Sequence, residues 1–198
     1  MAKTIDYYFS LNSPWAYLGS RLFEEIARRH GAEVRVKPVN LGEVFPRTGG
    51  LPLPKRAPER QAYRLVELQR WRAYRDVPLT LHPAFFPADE ALAAGCVTAL
   101  GAAGGEALRL ARAVLRGVWA EERNMADEAT LAEILRETGA DPDALMTKAR
   151  AAETRAAYEA QTQEAIERGV FGSPSYIYND ELFWGQDRLE FLERALAV

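Results

Sequence analysis

The sequence predicts an α/β fold in which a βαβ unit and a ββα unit are separated by a long helical insertion. Three observations lead there. Residues 5–9, 33–39 and 175–184 are β-branched and aromatic or alternate with period two, as strands do. A helix signal directly follows the first strand, and another helix closes the chain. Between residues 58 and 168 the pattern is helical throughout, with only short interruptions. The expected division is residues 1–57 with 169–198 as one domain and 58–168 as the inserted one.

Residues 5–9 suit a short buried strand. Asn12-Ser13-Pro14 then starts a helix, with Ser13 as N-cap and Pro14 at the first helical position, and Gly31 stops it after about His30. Residues 33–39 follow as a second strand, and the crossover between the two should be right-handed. Pro38 fits the end of an edge strand. Gly49, Gly50, Pro46, Pro52, Pro54 and Pro58 predict an extended loop over 40–58; Lys55 and Arg56 near its end suit either an anionic ligand or plain solvation.

Pro58-Glu59 opens a helix to about Asp76, with Tyr63, Val66, Arg70 and Tyr74 sharing one face. Residues 79–87 read as irregular, with His82, Phe85 and Phe86 either lining a pocket or packing onto the core. Helical pattern resumes at Asp89, with breaks at Gly104-Gly105, near Asn124 and at Gly139. Asp141-Pro142 is a further cap pair, and Gly169 ends the block. Residues 175–178 and 181–184 form a hairpin around Asn179-Asp180, a pair that tolerates positive φ. Asp187 is the expected N-cap of a last helix whose Leu189, Leu192 and Leu196 point inward.

Bulk properties exclude several functions. Of 198 residues 48% are hydrophobic, enough for one good core. Lys and Arg total 25 against 28 Asp and Glu, a formal charge of −3, so no nucleic-acid partner is expected. Met-Ala-Lys-Thr leads straight into a strand, so no secretory leader is expected, nor a membrane span, and the expected location is cytoplasmic. The one cysteine, Cys96, permits no internal disulfide and no Cys-x-x-Cys pair, and its Ala-rich surroundings suit a buried small hydrophobe. His30 and His82 have no companions at ligand spacing, so a zinc site is not expected.

The chemistry collects at two turns. A strand running into a helix N-terminus places Ser13 where unpaired backbone N–H groups and the positive end of the helix dipole converge, a place that favours an anion, including a thiolate. Helix capping alone also explains the Ser-Pro pair. A βαβ half and a ββα half joined by a helical insertion is the thioredoxin plan, in which this turn faces a cis-proline loop. Here that loop is Gly172-Ser173-Pro174-Ser175. A cis Ser173-Pro174 bond would leave the Ser173 N–H and C=O for an extended peptide.

Residues 8–19 (YFSLNSPWAYLG), 170–174 (VFGSP) and 183–189 (FWGQDRL) together resemble the 2-hydroxychromene-2-carboxylate isomerase family, related to kappa-class glutathione transferases. The resemblance spans essentially the whole chain. It implies that Ser13 is the catalytic serine, donating a hydrogen bond to the sulfur of glutathione. It further implies that Pro14 and Trp15 flank the thiol and that Ser173, before cis-Pro174, pairs with the cysteinyl part. Asp187 and Arg188 would meet the γ-glutamyl end. A kappa-class loop asparagine has no counterpart between Gly42 and Pro58, so either Lys55 or Arg56 takes part of its role or glutathione binds less tightly. The implied reaction is cis–trans isomerisation of a small conjugated, aromatic-derived acid by thiolate addition, rotation and elimination, in a homodimer. A kappa-like glutathione transferase or peroxidase, or a non-catalytic thioredoxin-fold binding protein, are the alternatives. A hydroxyl polarises a thiolate and cannot trap it as a mixed disulfide.

Overall fold

Strand β1 (Thr4–Phe9) is buried along nearly its whole length because both of its faces are covered. It pairs in parallel with β2 (Glu33–Pro38) on one side and antiparallel with β3 (Ser175–Tyr178) on the other; β3 pairs antiparallel with β4 (Glu181–Trp184). The order β2-β1-β3-β4 leaves β2 at an edge, where Pro38 removes no ladder donor that the sheet needs. The computed structural model describes residues 2–198. Among these are nine α-helices, α1 (Pro14–Arg29), α2 (Leu41–Thr48), α3 (Pro58–Arg75), α4 (Ala91–Ala99), α5 (Gly105–Ala120), α6 (Glu128–Glu137), α7 (Pro142–Arg150), α8 (Ala152–Glu167) and α9 (Leu189–Leu196). The first position of the expected 1–57 segment lies outside the described residues.

Alternation along β1 sends Ile5, Tyr7 and Phe9 into the main core and Tyr8 into a smaller one on the other face. In the main core Tyr7 stacks on Phe9 with centroids 4.4 Å apart and on Tyr176 at 5.2 Å, and Phe23 of α1 leans on both tyrosines. That core continues without a break through α4–α7 to Trp119, so sheet and helices share one apolar interior. The Tyr7 and Tyr176 hydroxyls are buried without a hydrogen-bond partner among the described residues, and burial pushes both phenols upward. An unpaired buried hydroxyl costs stability, so Tyr7→Phe is expected to raise it by about 1 kcal/mol. Urea unfolding should show a higher midpoint at unchanged slope; a lower midpoint would mean the hydroxyl has a partner in solution.

The opposite face of the sheet is polar at its centre. Asp6, on the same side of β1 as Tyr8, lies 2.8 Å from Lys37 Nζ and 2.6 Å from Arg168 Nη1. Lys37 also meets Glu164 of α8 at 2.8 Å, and Arg168 donates to the Tyr8 hydroxyl at 3.1 Å. Burial pushes the Asp6 carboxyl up, but Lys37 and Arg168 outweigh it and hold the group below the usual carboxylate range.

Two expectations need correction. Residues 40–58 are not an extended loop: α2 forms there, followed by a 3-10 turn at Leu53–Lys55. The Asn40 side chain accepts the Gly42 N–H at 2.9 Å and so caps α2, and Gly49 ends it at φ +77. Pro46 is tolerated because only one helical bond, to the Gly42 carbonyl, is forfeited in so short a helix. Asp187 is not the cap of the last helix; it sits in a 3-10 turn (Gln186–Arg188), and α9 begins at Leu189. Tyr63, Val66 and Tyr74 do share one face of α3, as expected, and it points outward; Leu68 is the residue that α3 buries. A break at Ala151, which carries no Gly or Pro, separates α7 from α8.

Candidate active site

Ser10-Leu-Asn-Ser13 carries the chain from β1 into α1, and almost every polar atom in it has a defined partner. Ser13 is buried, and its Oγ accepts the Ala16 N–H at 3.1 Å as the N-cap of α1. The same hydroxyl donates across the cleft to the Ser173 carbonyl at 3.2 Å. Ser10 and Asn12 are held from α4's side: the Ser10 hydroxyl meets both Glu90 carboxylate oxygens at 2.9 Å, and the Asn12 N–H reaches Glu90 at 3.1 Å. Asn12 also clasps Ala88, donating to its carbonyl at 2.9 Å and accepting its N–H at 3.1 Å. Burial pushes the Glu90 carboxyl upward against the opposing pull of these hydrogen bonds.

The facing loop is built as tightly. Ser173-Pro174 is cis, as is a second bond, Phe86-Pro87, that the sequence reading did not anticipate. The Ser173 hydroxyl accepts the Ser10 N–H at 3.0 Å, and the Pro174 carbonyl accepts the Gly185 N–H at 2.9 Å. Gly172 is required by contact, because a Cβ there would run into the Trp184 indole nitrogen. Ser173 therefore differs from expectation in one respect. Its carbonyl is engaged by Ser13, whereas its N–H makes no hydrogen bond among the described residues.

The structure brings Ser13, Pro14, Ser173 and Pro174 together. Trp15 is partly buried against the main core. Asp187 and Arg188 lie next along the rim, joined to the loop through Gly185; they are well exposed and paired with each other at 2.8 Å. The 3-10 turn that carries them is fixed from below. A Cβ on Gly19 would lie 2.7 Å from the Cβ of Gln186, so α1 packs directly on this turn. Arg75 of α3, stacked over Trp71, reaches the Gln186 side chain at 3.0 Å and its carbonyl at 3.1 Å. Lys55 is exposed, and Arg56 donates to the Leu51 carbonyl at 2.8 Å. Ser10, Glu90 and Arg75 escaped the sequence reading, since each acts through a partner far away in the chain.

A four-stranded mixed sheet, a cis-proline loop and a helix N-terminus facing it define a thioredoxin-fold protein with serine at the start of its first helix. The family model of the DsbA-like thioredoxin domain matches residues 4–197. The chain is 33% identical over 198 residues to a 2-hydroxychromene-2-carboxylate isomerase of Sphingobium xenophagum, covering 99% of both chains. A solved 2-hydroxychromene-2-carboxylate isomerase superposes with a TM-score of 0.86 at 28% identity, covering 98% of this chain and 94% of that one. A glutathione S-transferase kappa 1 of Caenorhabditis elegans is 24% identical over 200 residues, 95% of this chain and 88% of the other. This chain belongs to the 2-hydroxychromene-2-carboxylate isomerase family within the DsbA-like thioredoxin fold.

Proposed function

We propose that the protein is a glutathione-dependent isomerase that interconverts cis and trans forms about a conjugated C=C bond in 2-hydroxychromene-2-carboxylate or a closely related acid. The observation that carries this reading is the Ser13 hydroxyl, buried at the start of α1 and bonded across to the Ser173 carbonyl at 3.2 Å. The residues fit glutathione: beside a hydroxyl donor lies an unpartnered backbone N–H at Ser173, the kind of group that pairs with an extended peptide. Pro14 and Trp15 would border the sulfur, Ser173 and Pro174 the cysteinyl backbone, and Asp187 with Arg188 the γ-glutamyl ammonium and carboxylate.

When bound, glutathione would supply a thiolate nucleophile for reversible addition to the conjugated bond. Ser13 would donate to the sulfur the hydrogen it now gives the Ser173 carbonyl, while its oxygen keeps capping Ala16. The N-terminus of α1 adds its dipole, which favours the anionic form. Glu90, holding Ser10 and Asn12, fixes the backbone of the turn that carries the hydroxyl. The reaction is redox-neutral, and the chain offers no competing thiol: Cys96 is buried and burial pushes its thiol up to about 12.

No helix among the described residues is long and apolar enough to cross a membrane. A cytoplasmic location is part of this reading, supported by dependence on an intracellular thiol. So is a homodimer, for which the outward Tyr63, Val66 and Tyr74 offer an apolar face. In the same reading, residues 58–168 form the insertion that shapes substrate choice. The kappa-like transferase reading has the C. elegans relative in its favour. Conversion of 2-hydroxychromene-2-carboxylate, followed with and without added glutathione, tests the proposal. Turnover that requires glutathione supports it; no conversion under either condition, with conjugation of electrophiles instead, would replace it with the transferase reading.

A further inference from the structure

Arg64 of α3 is half-buried, yet it forms no ion pair and no hydrogen bond among the described residues. Other guanidiniums in comparable settings are partnered: Arg168 with Asp6, Arg123 with Glu137, and Arg75 with Gln186. Arg64 instead lies over two aromatic faces, 5.4 Å from the Phe86 centroid and 5.7 Å from that of Trp119. These ring contacts hold the guanidinium in place and leave its N–H donors unspent. Burial and the nearby Arg56 push Arg64 down to about 10, with no acid close enough to offset them. Arg56 is itself half-buried, and it feels Arg60 in the first turn of α3. An uncompensated cluster of cations in a partly dry setting is a standing cost that an anion would relieve.

The cluster connects to the Ser13 turn through a short run of chain. Phe86 is two residues before Ala88, and Ala88 is the residue that Asn12 clasps from the position next to Ser13. We propose that Arg64, lying against Phe86 and Trp119 and backed by Arg56, is the residue that receives the substrate's carboxylate. A planar fork matches a carboxylate with two parallel hydrogen bonds. This inference rests on the isomerase reading above. Glutathione's glycyl carboxylate is the other source of the same chemistry, and the test separates them.

Arg64→Met keeps the apolar bulk and removes the charge. It should raise KM for 2-hydroxychromene-2-carboxylate roughly tenfold to a hundredfold, with kcat changed little. Arg64→Lys, which keeps charge without the fork, should fall between. Glutathione affinity by calorimetry should not move in either variant. With the unreactive probes chromone-2-carboxylate and chromone-2-carboxamide, the wild-type protein should prefer the acid by at least about tenfold, and Arg64→Met should not discriminate. Equal binding of acid and amide by the wild-type protein overturns the proposal without needing a variant to fold. Unchanged KM in Arg64→Met overturns it too, and a loss of glutathione affinity gives Arg64 to the cofactor instead. Should the wild-type protein turn nothing over, acid-selective probe binding lost in Arg64→Met would sustain Arg64 while the isomerase reading fails.

Discussion

Ser13→Ala is expected to lower isomerase turnover roughly a hundredfold to a thousandfold, as the loss of one pre-aimed donor does elsewhere. The hydroxyl serves two partners at once, the Ala16 N–H as acceptor and the Ser173 carbonyl as donor. Alanine ends both, so a stability cost of about 1 kcal/mol comes with the lost activity, the usual worth of an N-cap. That is a fall of about 2–4 °C in Tm for a chain of this size. Two further variants separate the roles. Ser13→Asn retains a capping oxygen without the hydroxyl and should recover the stability but not the turnover. Ser13→Thr retains both and should keep much of each. The ultraviolet absorbance of thiolate in bound glutathione, titrated with pH, reports the same event without turnover: the thiol should ionise at higher pH in Ser13→Ala. Unchanged turnover and an unchanged thiol titration would reduce Ser13 to a helix cap.

Asp6→Ala should destabilise the fold by about 3 kcal/mol, because it strands buried positive charge. Lys37 would keep Glu164 at 2.8 Å, but Arg168 would lose its one close carboxylate, its remaining acids lying at 3.6 Å and beyond. The sign of the pH dependence follows from the lowered carboxyl. Stability from Asp6 is fully present above its unfolded value, near 3.9, and is lost as pH falls through the folded value. Urea unfolding of the wild-type protein between neutral and acid pH should therefore show a decline that is shallower in Asp6→Ala. Parallel declines would assign acid sensitivity to other carboxylates. Asp6→Asn, which keeps the shape and removes the charge, should behave like Asp6→Ala in slope.

Elements whose signals are local were legible in the sequence. Ser13-Pro14, Asp141-Pro142 and Asn179-Asp180 each state a cap or turn within two residues, and each forms as read. Residues 40–58 were misread because prolines and glycines dominate the pattern while the deciding group, the Asn40 side chain, makes its contact only once the helix exists. Asp187 looked like a cap, but Gly185 and the packing of Gly19 on Gln186 tighten that turn to a 3-10 geometry first. The Tyr63 face illustrates a different limit. Periodicity identifies residues on one side of a helix without saying whether that side faces in. Within the site, both sides of the Ser13–Ser173 pair were marked by short motifs. The Glu90 brace was not, since it depends on residues 80 positions apart meeting.

The hydrogen bond from Ser13 to the Ser173 carbonyl also bears on how quickly the site lets go. A donor parked on an internal acceptor is already satisfied, so an incoming anion gains only the difference between two bonds, not a whole one. Departure is eased by the same amount, for the hydroxyl falls back to a carbonyl 3.2 Å away without waiting for water. Such a site exchanges its occupant at small energetic cost in either direction. If Ser13 holds an anion as proposed, fast release is expected to be favoured over tight retention.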